Sequence, residues 1–339
     1  MNRFTALIMC VGLVGGQVRI GDWDSFTSPL KVRMLVEIRD TVFNATDGGI
    51  LRFETETSSF KTFTNLHGLS GTDLAAIAKD LENNIWVGGS SPDGFINIFD
   101  PIAEEVIATF DYDLSEILDF AVSDSVVFGA MKLNQDLGII EFRLTNSGFE
   151  YRDVYKNWPV SISSISGIAV RGDSLLVGTD AGLFSANWVE DNLKGPATWG
   201  RPFSSLTDNV NAVSLSNDTV FVVLGSSIYR IANDGLSLVL SGSNEILDIS
   251  NDRTGSFWAV TENSIFHGSN AAASPSFDLT SLLVSASGKI FAGTEQGIAE
   301  FHESSYTFSR WIPNAPLTNY FSAICVLNDG RIVAGGNAG

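Results

Sequence analysis

The chain has 339 residues, 44% of them hydrophobic and only 17% charged, which is enough material for a large globular core. Its 39 acidic residues against 20 basic ones leave a net charge of −19. A surface of that sign repels phosphate backbones and anionic headgroups and so speaks against a nucleic-acid partner. Abundant glycine, serine and threonine suit many short strands joined by tight turns, and no internal run is long and apolar enough for a transmembrane helix.

Residues 1–16, MNRFTALIMCVGLVGG, have the form of a signal peptide. Arg3 supplies the positive end, Phe4 to Val14 the apolar stretch, and small residues precede Gln17. The bulky Met9 before Cys10 argues against a lipoprotein site. An exported protein is expected, in the periplasm or at the cell surface. Once the signal is removed, Cys325 is the only cysteine, so no intrachain disulfide can form.

From residue 42 onward one pattern recurs: an apolar strand, a polar turn, a second strand ending in small residues, a turn, and a third strand opening after glycine or serine. The third strands are marked by Gly49, Gly94, Gly138, Gly182, Ser227, Ser264 and Gly297. The markers are spaced by about 44 residues for four units and then by less than about 40, the period of propeller blades. The polar turns after the first strands carry Asp, Asn and Gly, as at Arg39-Asp40, Glu82-Asn83-Asn84 and Gly172-Asp173. The second strands are apolar throughout, as expected of strands covered on both faces.

A fourth, aromatic-bearing strand is expected between most units, at 60–63, 106–110, 149–151, 198–199 and 307–311. Trp23 to Phe26 precedes any complete unit and is expected to complete the last blade by strand exchange, leaving no free edge. The fold expected is all-β: a β-propeller of four-stranded antiparallel blades over 17–306, seven-bladed, with eight blades as the alternative. Residues 307–339 resemble the start of a further propeller unit, which makes the chain a fragment on this reading.

Chemistry is harder to find. His67, His267 and His302 fall in different units without ligand spacing, so no metal site and no cofactor is expected. Asp252 to Trp258 resembles an Asp-box but carries one extra residue and fits better as the turn between first and second strands. Acidic pairs such as Glu104-Glu105 or Asp111 and Asp113 are what chance supplies in so acidic a chain, and no catalytic residue is assigned. The Gly pairs 48–49 and 88–89 lack the helix and lysine of a phosphate cradle. The longest loops on one face carry Lys132, Asn134, Tyr155 and Trp158, residue types that sugar or peptide binding uses.

The stretch 68–89, GLSGTDLAAIAKDLENNIWVGG, resembles the two-component-regulator propeller repeat through Gly68-Leu69-Ser70, Asp80, Asn84, Trp86, Val87 and Gly88. With the export signal, the chain as a whole resembles the N-terminal propeller of PorZ-like proteins. That resemblance implies a scaffold of the type IX secretion machinery that acts in attaching exported cargo at the cell surface, with protein or glycan ligands at the envelope. No functional residue carries over from it. A non-enzymatic binding module is therefore expected. The alternative is the extracytoplasmic sensor propeller of a hybrid histidine kinase, and a polysaccharide lyase or glycosidase comes third.

Overall fold

Alternating short strands and turns must bury their apolar faces against copies of themselves, and the chain does so as a seven-bladed ring. The computed structural model describes residues 25–216, 219–232, 235–252 and 254–336. Residues 1–16, read from the sequence as a signal peptide, and Trp23 lie outside the described residues. Blade 1 is β1 (Val32–Ile38), β2 (Thr41–Thr46), β3 (Gly49–Glu54) and β4 (Ser59–Phe63). Blade 2 is β5 (Asp73–Lys79), β6 (Ile85–Ser91), β7 (Phe95–Asp100) and β8 (Glu105–Phe110). Blade 3 is β9 (Glu116–Val122), β10 (Val126–Leu133), β11 (Asp136–Thr145) and β12 (Gly148–Tyr155). Blade 4 keeps three strands, β13 (Ile165–Arg171), β14 (Ser174–Thr179) and β15 (Gly182–Asn187). Blade 5 is β16 (Ala212–Ser216), β17 (Thr219–Leu224), β18 (Ser227–Ala232) and β19 (Gly235–Ser241). Blade 6 is β20 (Asp248–Asn251), β21 (Phe257–Thr261), β22 (Ser264–His267) and β23 (Asn270–Ala273). Blade 7 is β24 (Leu279–Val284), β25 (Ile290–Thr294), β26 (Gly297–His302) and β27 (Thr307–Trp311). A further hairpin, β28 (Phe321–Val326) and β29 (Ile332–Gly336), stands outside the ring.

Within each blade the strands pair in sequence order and antiparallel. The first strands touch one another in succession, from β1 through β5, β9, β13, β16, β20 and β24 back to β1, and so surround the axis. Each seam between adjacent blades has its own apolar cluster. At the closing seam, Val32, Val42 and Phe53 of blade 1 pack on Phe291 and Ile298 of blade 7. On β2, Phe43 and Ala45 face blade 2 while Val42 faces blade 7, which is the period-two consequence of a strand buried on both sides.

The ring does not close by strand exchange. The outer position of blade 7 is filled by β27, which pairs with β26 from Ile298↔Trp311 to His302↔Thr307, and Ser25 and Phe26 form no strand. The segment 307–311, read from the sequence as opening a further unit, thus completes blade 7. The strand expected at 198–199 is also absent. Pro196 has no N–H to offer a ladder, so Pro196–Thr198 form a 3-10 turn and Trp199 is buried, while Gly200 alone bridges Ser185. Blades 5 and 6 carry outer strands, β19 and β23, that hold no aromatic residue and so gave no signal.

Six of the seven markers stand at or just before the third strands, with Gly138 two residues into β11, and the commonest turn has a mechanical reason. In Thr46-Asp47-Gly48-Gly49 the Thr46 hydroxyl donates to the Gly49 carbonyl (2.6 Å) and accepts from the Gly48 N–H (3.1 Å). Thr179 and Thr294 repeat this with Gly182 and Gly297. Gly49 has φ +119°, and a Cβ there would collide with the carbonyl oxygen of Phe63. Gly49→Ala is expected to cost roughly 2–4 kcal/mol, because strained backbone and clash add. Gly172→Ala, at φ +53° in open space, is expected to cost about 1 kcal/mol or less. Urea midpoints of the two variants check the contrast; equal shifts would refute the steric part.

Candidate functional site

Because strands alternate in direction, the second-to-third turns and the blade-to-blade loops open on one face. Lys132 lies near the end of β10, half-buried, rather than in a loop, and Asn134 lies in the β10–β11 turn, exposed, with its N–H donated to Ser115 Oγ (2.9 Å). Tyr155 ends β12 and is buried. Its hydroxyl donates to the carboxylate of Glu141, which is 1% exposed and also paired with Arg143 Nε. Burial, and then the neighbouring Glu141 carboxylate, pushes the Tyr155 phenol above its ordinary value, so it remains a donor. The Trp158 indole donates to the Leu137 carbonyl (2.9 Å), and its ring packs on Trp199 and Phe184 of blade 4. Lys156 Nζ meets Asp136 Oδ2 at 2.9 Å. The structure thus brings Tyr155 and Trp158 into the blade 3–blade 4 packing and Lys132 into the β10 ladder, whereas Asn134 stays at the loop surface.

Across the same face, between blades 5, 6 and 7, lies a cavity of about 700 Å³. Glu245, Glu262, Asp278 and Glu295 surround it, with Asn263 and Thr280 between them. Lys31 Nζ pairs with Glu295 (2.9 Å), and Asn211 donates to Glu245. Such a lining suits cationic and hydroxyl-bearing groups of a partner rather than anions. Its residues span blades and single turns, so no local motif announces them.

On the opposite face Ser256 Oγ lies 3.2 Å from His267 Nε2, and His267 Nδ1 lies 3.3 Å from Glu303 Oε1. Serine, imidazole and carboxylate alone do not make an acyl-transfer site, which needs free donors for the developing oxyanion. Here the N–H groups of Thr254 and Ser256 both donate to Asp252 Oδ1, at 2.8 and 2.9 Å. The Trp258 ring stacks on His267 at 4.2 Å. This is a turn clasp. It repeats the one in blade 2, where Asp80 accepts from the N–H groups of Glu82 and Asn84 and from Trp86 Nε1. His67 and His302 are likewise structural partners, of the Thr64 N–H and Ser309 Oγ. No group of three metal-ligating side chains occurs among the described residues.

Two carboxylates sit at the axis. Asp119 on β9 accepts from the Phe120 N–H (2.8 Å) and, across the seam, from the Ile168 N–H of β13 (2.9 Å). Asp248 on β20 accepts from Ile249 (2.7 Å) and across its seam from Leu282 of β24 (2.7 Å). Burial raises Asp119 to about 7, with the charge of Asp248 adding to it, and raises Asp248 to about 6; the N–H donors offset part of each shift. Both stand in the sequence Glu-Ile-Leu-Asp, at 116–119 and 245–248. That repeat was the signal available for them.

No family model and no curated protein sequence matches the chain. Among solved structures it is similar to PorZ of Porphyromonas gingivalis, described as an essential bacterial surface component of the type-IX secretion system. The TM-score is 0.71 at 19% identity, covering 93% of this chain and 42% of that one. The chain therefore spans less than half the length of PorZ. It is also similar to a chain of the Mitotic Checkpoint Complex (TM-score 0.60, 12% identity, 86% of this chain and 96% of that). The WD40 β-propeller domain of Doa1 gives TM-score 0.62 at 12% identity, over 84% and 94% of the two chains. At such identities the likeness is one of fold.

Proposed function

We propose that this chain is an exported, non-enzymatic propeller scaffold of the cell envelope that holds protein or glycan partners on its loop face. The role nearest to its likeness is that of a type IX secretion component engaged in attaching cargo at the cell surface. The observation that carries the reading is the match of 93% of the chain to the PorZ architecture. It is supported by an open polar cavity among loops that a rigid ring holds in place. The net charge of −19 points to partners that are neutral or cationic rather than to polyanions. No helix among the described residues is long and apolar enough to cross a membrane.

We read the β28–β29 hairpin as the inner half of a further blade. Its register skips one residue between Phe321 and Ala323, as β1 does between Val32 and Met34 and β24 between Leu279 and Ser281. Ile324 and Ile332 are exposed, at 67% and 64%, where their counterparts within the ring are covered by neighbours.

The test is Glu262→Lys with Asp278→Lys, two exposed positions at the cavity. Stability is expected to stay within about 0.5 kcal/mol. In cells lacking the native protein, the variant is expected to reach the surface yet to lose most cargo attachment, about tenfold or more. Full attachment by the double variant would remove the cavity from the reading; unchanged attachment on deleting the whole protein would remove the reading itself.

A further inference from the structure

We propose that Asn319 locks the unit begun by β28–β29 to the ring at one fixed angle, so that the two present a single rigid surface to a partner. The inference rests on the reading of that hairpin as the inner half of a further blade. The Asn319 side chain leaves the linker between β27 and β28 and meets blade 1. Its Nδ2 donates to the Ser28 carbonyl (3.0 Å) and to the Asp47 carbonyl (2.8 Å), and its Oδ1 accepts from the Ser28 N–H (2.6 Å). A carboxamide carries both donors and an acceptor, so it pairs with both backbone groups of Ser28 as a neighbouring strand would.

Both sides of this contact are themselves fixed. Ser28 is buried, Thr27 Oγ1 donates to the Gly48 carbonyl (2.6 Å), and the Leu30 carbonyl accepts from the Gly297 N–H of blade 7 (2.7 Å). A Cβ at Gly48 would collide with the Ser28 carbonyl, so the entry segment lies directly on the β2–β3 turn. On the far side the Tyr320 N–H donates to Thr318 Oγ1 (3.0 Å). A Cβ at Gly336 would collide with the Tyr320 carbonyl oxygen, so the end of β29 rests on the linker. Pro316 and Pro313, the latter buried beside Gly297, stiffen the approach.

Asn319 stands two residues before Phe321, the last paired residue ahead of the register skip in β28. The same count gives Ser115 before Ile117 in blade 3 and Ser163 before Ile165 in blade 4. Ser115 Oγ accepts from the Asn134 N–H and Ser163 Oγ donates to the Asp180 carboxylate, each in the second-to-third turn of its own blade. From the hairpin, the same position bonds the second-to-third turn of blade 1 instead, through Asp47. A side chain that closes one blade within the ring here joins two units. The Asp47 turn opens on the same face as the acidic cavity, and Lys31, near Ser28 in the entry segment, pairs with Glu295 of that cavity. The further unit is thereby held beside the cavity, and a partner that touches both meets surfaces already aligned, with no entropy lost in aligning them.

The experiment is pulsed double electron–electron resonance on the whole protein, with spin labels on Cys325 and on Glu56→Cys, both exposed, and Cys10→Ser to leave no third thiol. With Asn319 in place, one narrow distance distribution is expected. Asn319→Ala, and Asn319→Asp, which keeps the acceptor and removes both donors, are expected to broaden it about twofold or more. Asn314→Ala, exposed in the same linker, is expected to leave the width unchanged. Hydrogen exchange of the β28–β29 amides separates the lock from the reading beneath it. Slowly exchanging hairpin amides together with a broad distribution before any change at Asn319, an unchanged width in Asn319→Ala, or equal broadening by Asn314→Ala would overturn the lock and leave the blade reading standing. Hairpin amides that exchange as in an unfolded chain would overturn the blade reading, and the lock with it.

Discussion

Trp86→Ala is expected to lower stability by about 3–5 kcal/mol, the range for removing a fully buried large aromatic. Trp86 is 0% exposed and stands at the seam between blades 2 and 3. Its ring stacks on Phe110 at 5.7 Å and meets Phe142 at 5.3 Å and Phe149 edge-on at 5.1 Å. Loss of the indole opens a void between two sheets whose backbones are each fixed by their own ladders, so the site can collapse only in part. It also strips one donor from Asp80, itself buried beneath the turn. Trp86→Phe separates the two effects: it refills most of the void and leaves Asp80 short by one bond, for roughly 1–2 kcal/mol. Urea unfolding with unchanged m-value checks both; a loss below about 1 kcal/mol for the alanine variant would contradict the packing argument.

Arg143→Met is the second large effect, at about 2–4 kcal/mol. Glu141 is buried with its two carboxylate oxygens committed to Arg143 and to the Tyr155 hydroxyl. Removing the guanidinium leaves a buried carboxylate with one donor, which costs more than the pair ever contributed. Arg143 is itself partly exposed and lies over the Trp188 ring at 4.7 Å, which keeps the estimate below the range for wholly buried pairs. Adding Glu141→Gln to Arg143→Met is expected to recover at least about half of the loss, since a neutral amide tolerates the site. A double-mutant cycle measures that coupling, and strict additivity of the two substitutions would refute it.

The architecture was legible in the sequence because its determinants are local. A threonine three residues before a glycine, as at 46–49, 179–182 and 294–297, closes a turn through its own neighbours, and the strands on either side alternate accordingly. Outer strands were legible only where aromatics marked them, so β19, with Leu236, Leu238 and Leu240, and the alanine-rich β23 passed unseen. Tyr155 and Trp158 carried the residue types of a binding loop, and spacing could not show that one turns in to Glu141 and the other covers blade 4. The cavity between blades 5 and 7 and the axial aspartates depend on which blades become neighbours. A window of a few residues does not hold that information.

The four strands of blade 7 are consecutive in the chain, like those of the other four-stranded blades, and this has a consequence for how the ring can come apart. The joint between the last blade and the first combines side-chain and backbone contacts, among them the Thr280 hydroxyl on the Val32 carbonyl, the Glu37 carboxylate on the Ala286 N–H and the Gly297 N–H on the Leu30 carbonyl. It is no latch, only one more seam of seven. A ring of the seven blades cut between any two of them, with blade 7 joined to blade 1, should therefore rebuild the same circle, and forced opening should find its weakest point by local packing rather than at the seam between blades 7 and 1.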